Sequence, residues 1–385
     1  MINRILAATA VFFFLAACSS NTVQKATENK TNAQGQRVHQ DIPFLQDFSI
    51  KYYFPETENG NTELYKVATD RNENIQITSS AGLLVPYNGH FMAPGELLLE
   101  RTYRYMMDKK IHGIISYQNQ FVYTDETAVF SNAWAGTLKN IHGLKNPTVF
   151  EGGSNFDFLV SDGKTIVYLN HEGTTIWSTS VSGIKSIKYE DGRNKFLVIT
   201  PAAVFVFDPQ VKKLIPIYEG SEITSATYAA KGTKVVVGTN KGYQWLNANG
   251  QSEGELITDI PWLEITDVEE IDGSLWFGST WGAFRLNKEN KYDYYASQRW
   301  LPDNMVKDIE PGPEGSVLVL TETGMGQICF KEITLHEKAM QLEKITRKHF
   351  IRYGFSATGG GMQNGHLGQL TITDSDNDGL WTGMY

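Results

Sequence analysis

Residues 265–286, ITDVEEIDGSLWFGSTWGAFRL, decide the fold. Apolar and polar side chains alternate through 265–271, Asp272-Gly273 marks a tight turn, and a second alternating run fills 274–279. Gly278, Ser279 and Gly282 signal another turn before a third run at 282–286, and the Tyr-rich 292–297 supplies an outer, wetter strand. A twisted four-stranded sheet of this kind cannot hide both faces by itself; stacked between neighbours, it can.

The unit recurs. Ser279, the hydroxyl residue closing the second strand, has counterparts at Thr239, Thr200, Ser161, Thr124 and Thr78 upstream and at Thr321 downstream, spaced 37 to 46 residues apart. Seven copies of that length predict an all-β chain, a seven-bladed β-propeller over 43–333, in preference to a β-sandwich with coincidental spacing. The seventh copy gives three strands and then turns helical at Thr334, while DFSIKYYF at 47–54 is a spare alternating strand. That N-terminal strand is expected to complete the last blade, close the ring and remove two exposed edges. Thr334 and Glu337 form a capping box for a short C-terminal helix near 335–353, with Leu335, Leu342, Ile345 and Tyr353 toward one face. An irregular, Gly-rich tail follows, so 334–385 reads as the start of a second domain cut short at Tyr385.

The N-terminus reads as an address. Arg4 precedes a 13-residue, largely apolar run from Ile5 to Ala17, the length of a signal-peptide core and short for a membrane span. Leu15-Ala16-Ala17-Cys18 resembles the bacterial lipobox, which makes 1–18 a lipoprotein signal peptide and Cys18 the lipidated (palmitate-type) first residue of the mature chain. Residues 19–42 are polar and nearly free of large apolar side chains, a flexible tether with a reach of roughly 25–30 Å. The expected location is the outer membrane, on its periplasmic or cell-surface side, with the membrane as partner through the lipid. A net charge of −9 and the absence of any Lys/Arg-rich run argue against nucleic acid. With Cys18 committed to lipid, Cys329 has no partner for a structural disulfide.

LPDNMVKDIEPGPEGSVLVLTETG at 301–324, together with the opening stretch, resembles the two-component regulator propeller repeat. Leu301, Pro302, Asn304 and Val306 match its start; Asp272, Gly273, Leu275, Trp276, Gly278 and Gly282 match its second half. The match is sharp in the last two copies and weak in the first five. The resemblance implies a periplasmic ligand-binding sensor, often for glycan fragments, although no kinase segment or membrane helix follows the ring here. VYLNHEGTTIWSTSV at 167–181 is similar to a blade of quinoprotein-like propellers, including an outer-membrane assembly lipoprotein. The closing DSDNDGLWTGMY resembles a segment of lipid-anchored propeller proteins of gut-type Bacteroidetes, where it introduces an α/α-toroid suspected of acting on polysaccharides.

The candidate chemistry is recognition. Loops joining second to third strands, and outer strands to the next blade, emerge on one side of a propeller and carry Trp262, Trp281, Arg299, Trp300 and Asp303, with Asn240 and Lys241 beside them. Aromatic faces meet apolar sugar faces, and carboxylate, amide and guanidinium groups bond hydroxyls. Packing between blades is the competing reading for Trp262 and Trp300. Asp374, Asp376 and Asp378 before Gly379 match the first half of a calcium loop, but Tyr385 stands where a bidentate Glu would close it. Calcium is therefore the one cofactor the sequence raises, against an Asx-rich turn. Neither a serine-triad elbow nor metal-type histidine spacing occurs, Cys329 lies in an apolar strand, and GFSATGGG lacks the ending of a phosphate loop. No catalytic residue is assigned. The reading is a lipid-anchored binding or interaction propeller for a glycan-derived ligand or a polysaccharide-system protein. Its alternatives are the front half of a glycan-degrading lipoprotein and an outer-membrane assembly scaffold.

Overall fold

The computed structural model describes residues 30–31, 37–38, 40–54, 62–91, 93–101, 110–360, 371–373 and 377–384. Cys18, Asp374 and Asp376 lie outside the described residues, as do nearly all of the expected signal peptide and tether.

Seven antiparallel sheets succeed one another at 64–99, 113–140, 149–180, 186–219, 223–257, 265–295 and 306–333. The innermost strand of each touches the innermost strands of its two neighbours, and the first, Leu64–Thr69, also meets the last, Val306–Pro311. The ring is closed. The sixth blade runs Ile265–Ile271, Ser274–Ser279, Gly282–Leu286 and Tyr292–Tyr295, matching the expected inner three strands, while the outer strand ends two residues before the expected 297. Its first turn places Asp272 at φ 49° and Gly273 at φ 72°, the double left-handed conformation that matches strand twist in a two-residue hairpin. The fifth blade has three strands, with its fourth reduced to the bridges Tyr243–Ile257 and Leu246–Ser252.

The closing strand, Phe44–Tyr53, pairs antiparallel with Gly324–Ile333 over its whole length, from Phe44 opposite Ile333 to Tyr53 opposite Gly324. It thereby supplies the fourth strand of the seventh blade. Its far end also pairs in parallel with the first blade, Tyr52 opposite Gly95 and Tyr53 opposite Glu96, so one N-terminal segment stitches both sides of the seam.

Each interface between blades has its own apolar core. Tyr52, Leu64 and Ile77 pack with Leu318 and Leu320 at the closing seam, and Tyr117 and Val129 pack with Phe158 and Val167 between the second and third blades. Trp276 and Tyr295 meet Leu301, Ile309 and Val319 between the sixth and seventh. The inner strands of the first, fifth, sixth and seventh blades bulge after their first residue. Around the last seams, polar side chains near these bulges reach the next blade. Asp267 accepts from the Ile309 amide at 3.0 Å, Asp308 from the Val67 amide at 3.0 Å, and Ser225 from the Val268 amide at 3.2 Å. A buried carboxylate held by a neighbour's backbone N–H fixes the relative height of two blades, which apolar packing alone leaves loose.

Two expectations need correction. The marker of the first copy is Ser79, one residue beyond Thr78: Ser79 pairs with Gly82 and donates to its carbonyl at 2.7 Å, whereas Thr78 points back to the Lys66 carbonyl. Adjacent hydroxyl residues cannot be told apart by type, only by which one meets the turn. The helix runs Leu335–Phe350 with the expected capping box, but it stops short of 353 because Tyr353 (φ 52°) and Gly354 (φ 85°) form the turn of a small hairpin, Ile351–Arg352 with Phe355–Ser356. Tyr353 is fully exposed and Leu335 largely so, and neither joins the face expected for them.

Candidate functional site

The hydroxyl markers build the turns that carry the candidate residues. Ser279 Oγ donates to the Gly282 carbonyl at 2.6 Å and accepts from the Trp281 amide at 3.1 Å, locking a tight turn with Trp281 at its tip. Gly282 has φ 104°, and a Cβ there would stand 2.7 Å from the Tyr295 carbonyl, so a side chain is excluded. Thr239 holds the next turn in the same way, donating to Gly242 and accepting from Lys241.

The structure sorts the seven sequence-nominated residues into separate places. Trp281, 52% exposed, stacks on Trp262, 38% exposed, with ring centroids 5.8 Å apart and planes 29° from parallel. Trp262 Nε1 donates to Thr280 Oγ1 at 2.7 Å, and that hydroxyl donates to Glu264 Oε2 at 2.6 Å. An indole pair with an attached carboxylate thus sits in the open. Lys241 pairs with Glu222 at 2.7 Å on an exposed turn, with Asn240 beside it. Arg299 lies over the Trp300 ring, 5.3 Å from its centroid, and Trp300 packs edge-on to Tyr295 and against the core of the last seam. Asp303 accepts from the Thr323 amide and hydroxyl at 2.7 and 2.6 Å and from the Met305 amide at 2.9 Å, which makes it the clamp of its own loop. Asp378 opens the short helix Asp378–Met384. Cys329 is half-buried, and burial pushes its thiol up to about 11, far from a reactive thiolate.

Sequence reasoning missed three features. The central channel is charged: Lys188 of the fourth blade reaches Glu269 of the sixth at 2.7 Å and Glu310 of the seventh at 3.8 Å, so its side chain crosses the axis. Burial opposes the charge on Lys188, but the two glutamates outweigh it and hold its pKa well above the ordinary value. Glu151, on the third blade's inner strand, is pushed up to about 7 by burial, against the pull of its own Gly152 amide and of Lys188. No group of three or more His, Cys, Asp or Glu side chains among the described residues is arranged to hold a metal.

The second feature is a polar cleft of about 730 Å³ at the opposite face, around the first turns of the seventh, first and second blades. Asn72, Asn119, Gln120 and Asn132 line it with Arg71, and the buried Gln76 takes the Tyr123 hydroxyl on its carbonyl at 2.6 Å. The third is a groove of about 800 Å³ between the helix and the closing strand, into which Arg299 and Trp300 face.

The geometry defines a seven-bladed propeller with exposed aromatic and charged side chains on its turns. No family model matches the sequence, and neither does any curated protein. Solved propellers do resemble it in shape. The extracellular domain of a protein described as a one component system, BT4673 of B. thetaiotaomicron, superposes with a TM-score of 0.55 at 15% identity, over 72% of this chain and 39% of that one. A streptogramin B lyase gives 0.55 at 14% identity over 76% of this chain and 100% of the lyase. The WD40 β-propeller domain of Doa1 gives 0.51 at 12% identity, over 74% and 95% of the two chains. At these identities the likeness is one of fold. The chain also spans well under half the length of that B. thetaiotaomicron extracellular domain.

Proposed function

We propose that this chain is a lipid-anchored binding propeller, tethered to the outer membrane through Cys18 and taking a glycan-derived ligand on the face that carries Trp262 and Trp281. The observation that carries the reading is the exposed indole pair joined through Thr280 to the Glu264 carboxylate. Sugar rings offer apolar C–H faces to aromatic planes and hydroxyls to carboxylates. The two-component regulator repeat motifs at 265–286 and 301–324 support a sensing or binding role.

A glycan array tests it. A hit that Trp281→Ala weakens by about tenfold or more, with the melting temperature unchanged, is the expected result. An array without hits, or hits indifferent to Trp281→Ala, overturns the reading, and co-purification with a β-barrel insertion complex then favours the assembly-scaffold alternative. Labelling of cells with an alkynyl palmitate analogue is expected to mark the wild-type chain and not Cys18→Ser.

A further inference from the structure

We propose that the groove between the helix Leu335–Phe350 and the closing strand binds a single-chain amphiphile with an anionic head, of the long-chain fatty acid class. The groove encloses about 800 Å³. Its floor is apolar, built from Phe48 and Ile333 on the two paired strands Phe44–Tyr53 and Gly324–Ile333, Phe91 and Trp300 from loops, and Leu342 and Ile345 from the helix. Phe48 and Phe91 meet edge to face with centroids 5.4 Å apart, so the floor is organised. Leu342 remains 44% exposed, apolar surface that the ring leaves uncovered.

The rim carries the opposite of the chain's overall sign. Six cations line it, Lys51, Arg299, Lys331, Lys338, Lys344 and Lys348, in a protein of net charge −9. The one carboxylate lining the groove, Asp47, already accepts the Tyr295 hydroxyl at 2.7 Å. Lys51 donates to the Gln298 carbonyl and Lys338 to the Gln46 side chain, so both are bonded to neutral groups. Arg299, Lys331 and Lys344 form no ion pair with a carboxylate among the described residues. A cationic rim over an apolar floor fits a ligand with a charged head and a hydrocarbon tail: the lysines and arginine take the head, and each methylene buried raises affinity about fourfold. An inorganic anion or a nucleic acid strand would leave the floor unused. A concave groove also accepts one chain, where a bilayer offers a plane.

The test is fluorescence titration of cis-parinaric acid, below its micellar concentration, into the full chain carrying Cys18→Ser in detergent-free buffer. The expected result is saturable enhancement, displaced by palmitate and not by its methyl ester. Binding should fall about tenfold in Lys331→Glu/Lys344→Glu and in Leu342→Asp, and should weaken as salt is raised. The lysine pair is exposed, so that variant keeps the test open if Leu342→Asp unfolds the helix. Trp281→Ala should bind the probe as the unsubstituted chain does, so failure here and failure of the glycan reading are separable. No saturable signal, equal displacement by the methyl ester, or variants that bind unchanged would each overturn the proposal. So would variant-sensitive binding of phosphatidylglycerol vesicles without binding of the monomeric probe.

Discussion

Asp308 shows how much one side chain can hold. It is fully buried, pairs with Lys66 and accepts the Val67 amide across the seam that closes the ring. Breaking a buried pair strands its partner without solvent, so Asp308→Ala is expected to lower unfolding stability by about 3–5 kcal/mol in denaturant titration. Glu151 makes a contrasting case. Its carboxyl has an ordinary value of 4.5 and is raised to about 7 in the fold, so between those values the folded ring holds a proton that the unfolded chain has released. Stability therefore falls as pH rises through that window and levels off above it. Glu151→Gln, facing Lys188, Glu269 and Lys66, should flatten part of that loss and melt higher than wild type at pH 8. Neither role was legible in the sequence, because Asp308 and Glu151 look like any other charge on an alternating strand. Their depth comes from six other strands meeting at one axis.

At the scale of elements, legibility tracked turn chemistry. The first three strands of the sixth blade could be read closely because Asp272-Gly273 and Ser279…Gly282 demand two-residue turns that only a few residue types tolerate. The first blade slipped by one, since Thr78 and Ser79 both carry hydroxyls. The fifth lost its fourth strand to bridges. The polar cleft stayed invisible because its lining joins the first turns near 70–76, 119–121 and 313–314, from the two ends of the chain, which only ring closure brings together. The exposed Trp281 was legible for the opposite reason, as an apolar residue at the tip of a recognisable turn. The closing strand offers a direct test. Because Phe44 lies antiparallel and opposite Ile333, a chain of residues 62–333 continued through a two-residue turn into 44–53 reproduces the seventh blade as an ordinary hairpin. That permuted ring is expected to keep cooperative unfolding, whereas 62–333 without the strand should lose it and aggregate through the bare edge of Gly324–Ile333.

At the scale of the molecule, charge is unevenly shared. A chain of net charge −9 concentrates six cations around one groove, leaves an indole pair on the face of the sixth blade, and opens an amide-lined cleft on the far side. Three surfaces of different chemistry therefore share one closed ring. The topology also imposes an order of events. A ribosome releases the clasp first and its mate almost last, with nearly the whole ring in between. Until then every finished blade belongs to an open crescent with two raw edges, and long-range pairing of this kind is slow. Under the proposed export of this chain that delay would be an advantage, because a circle that cannot lock before its final strands are made stays threadable through a narrow translocation pore.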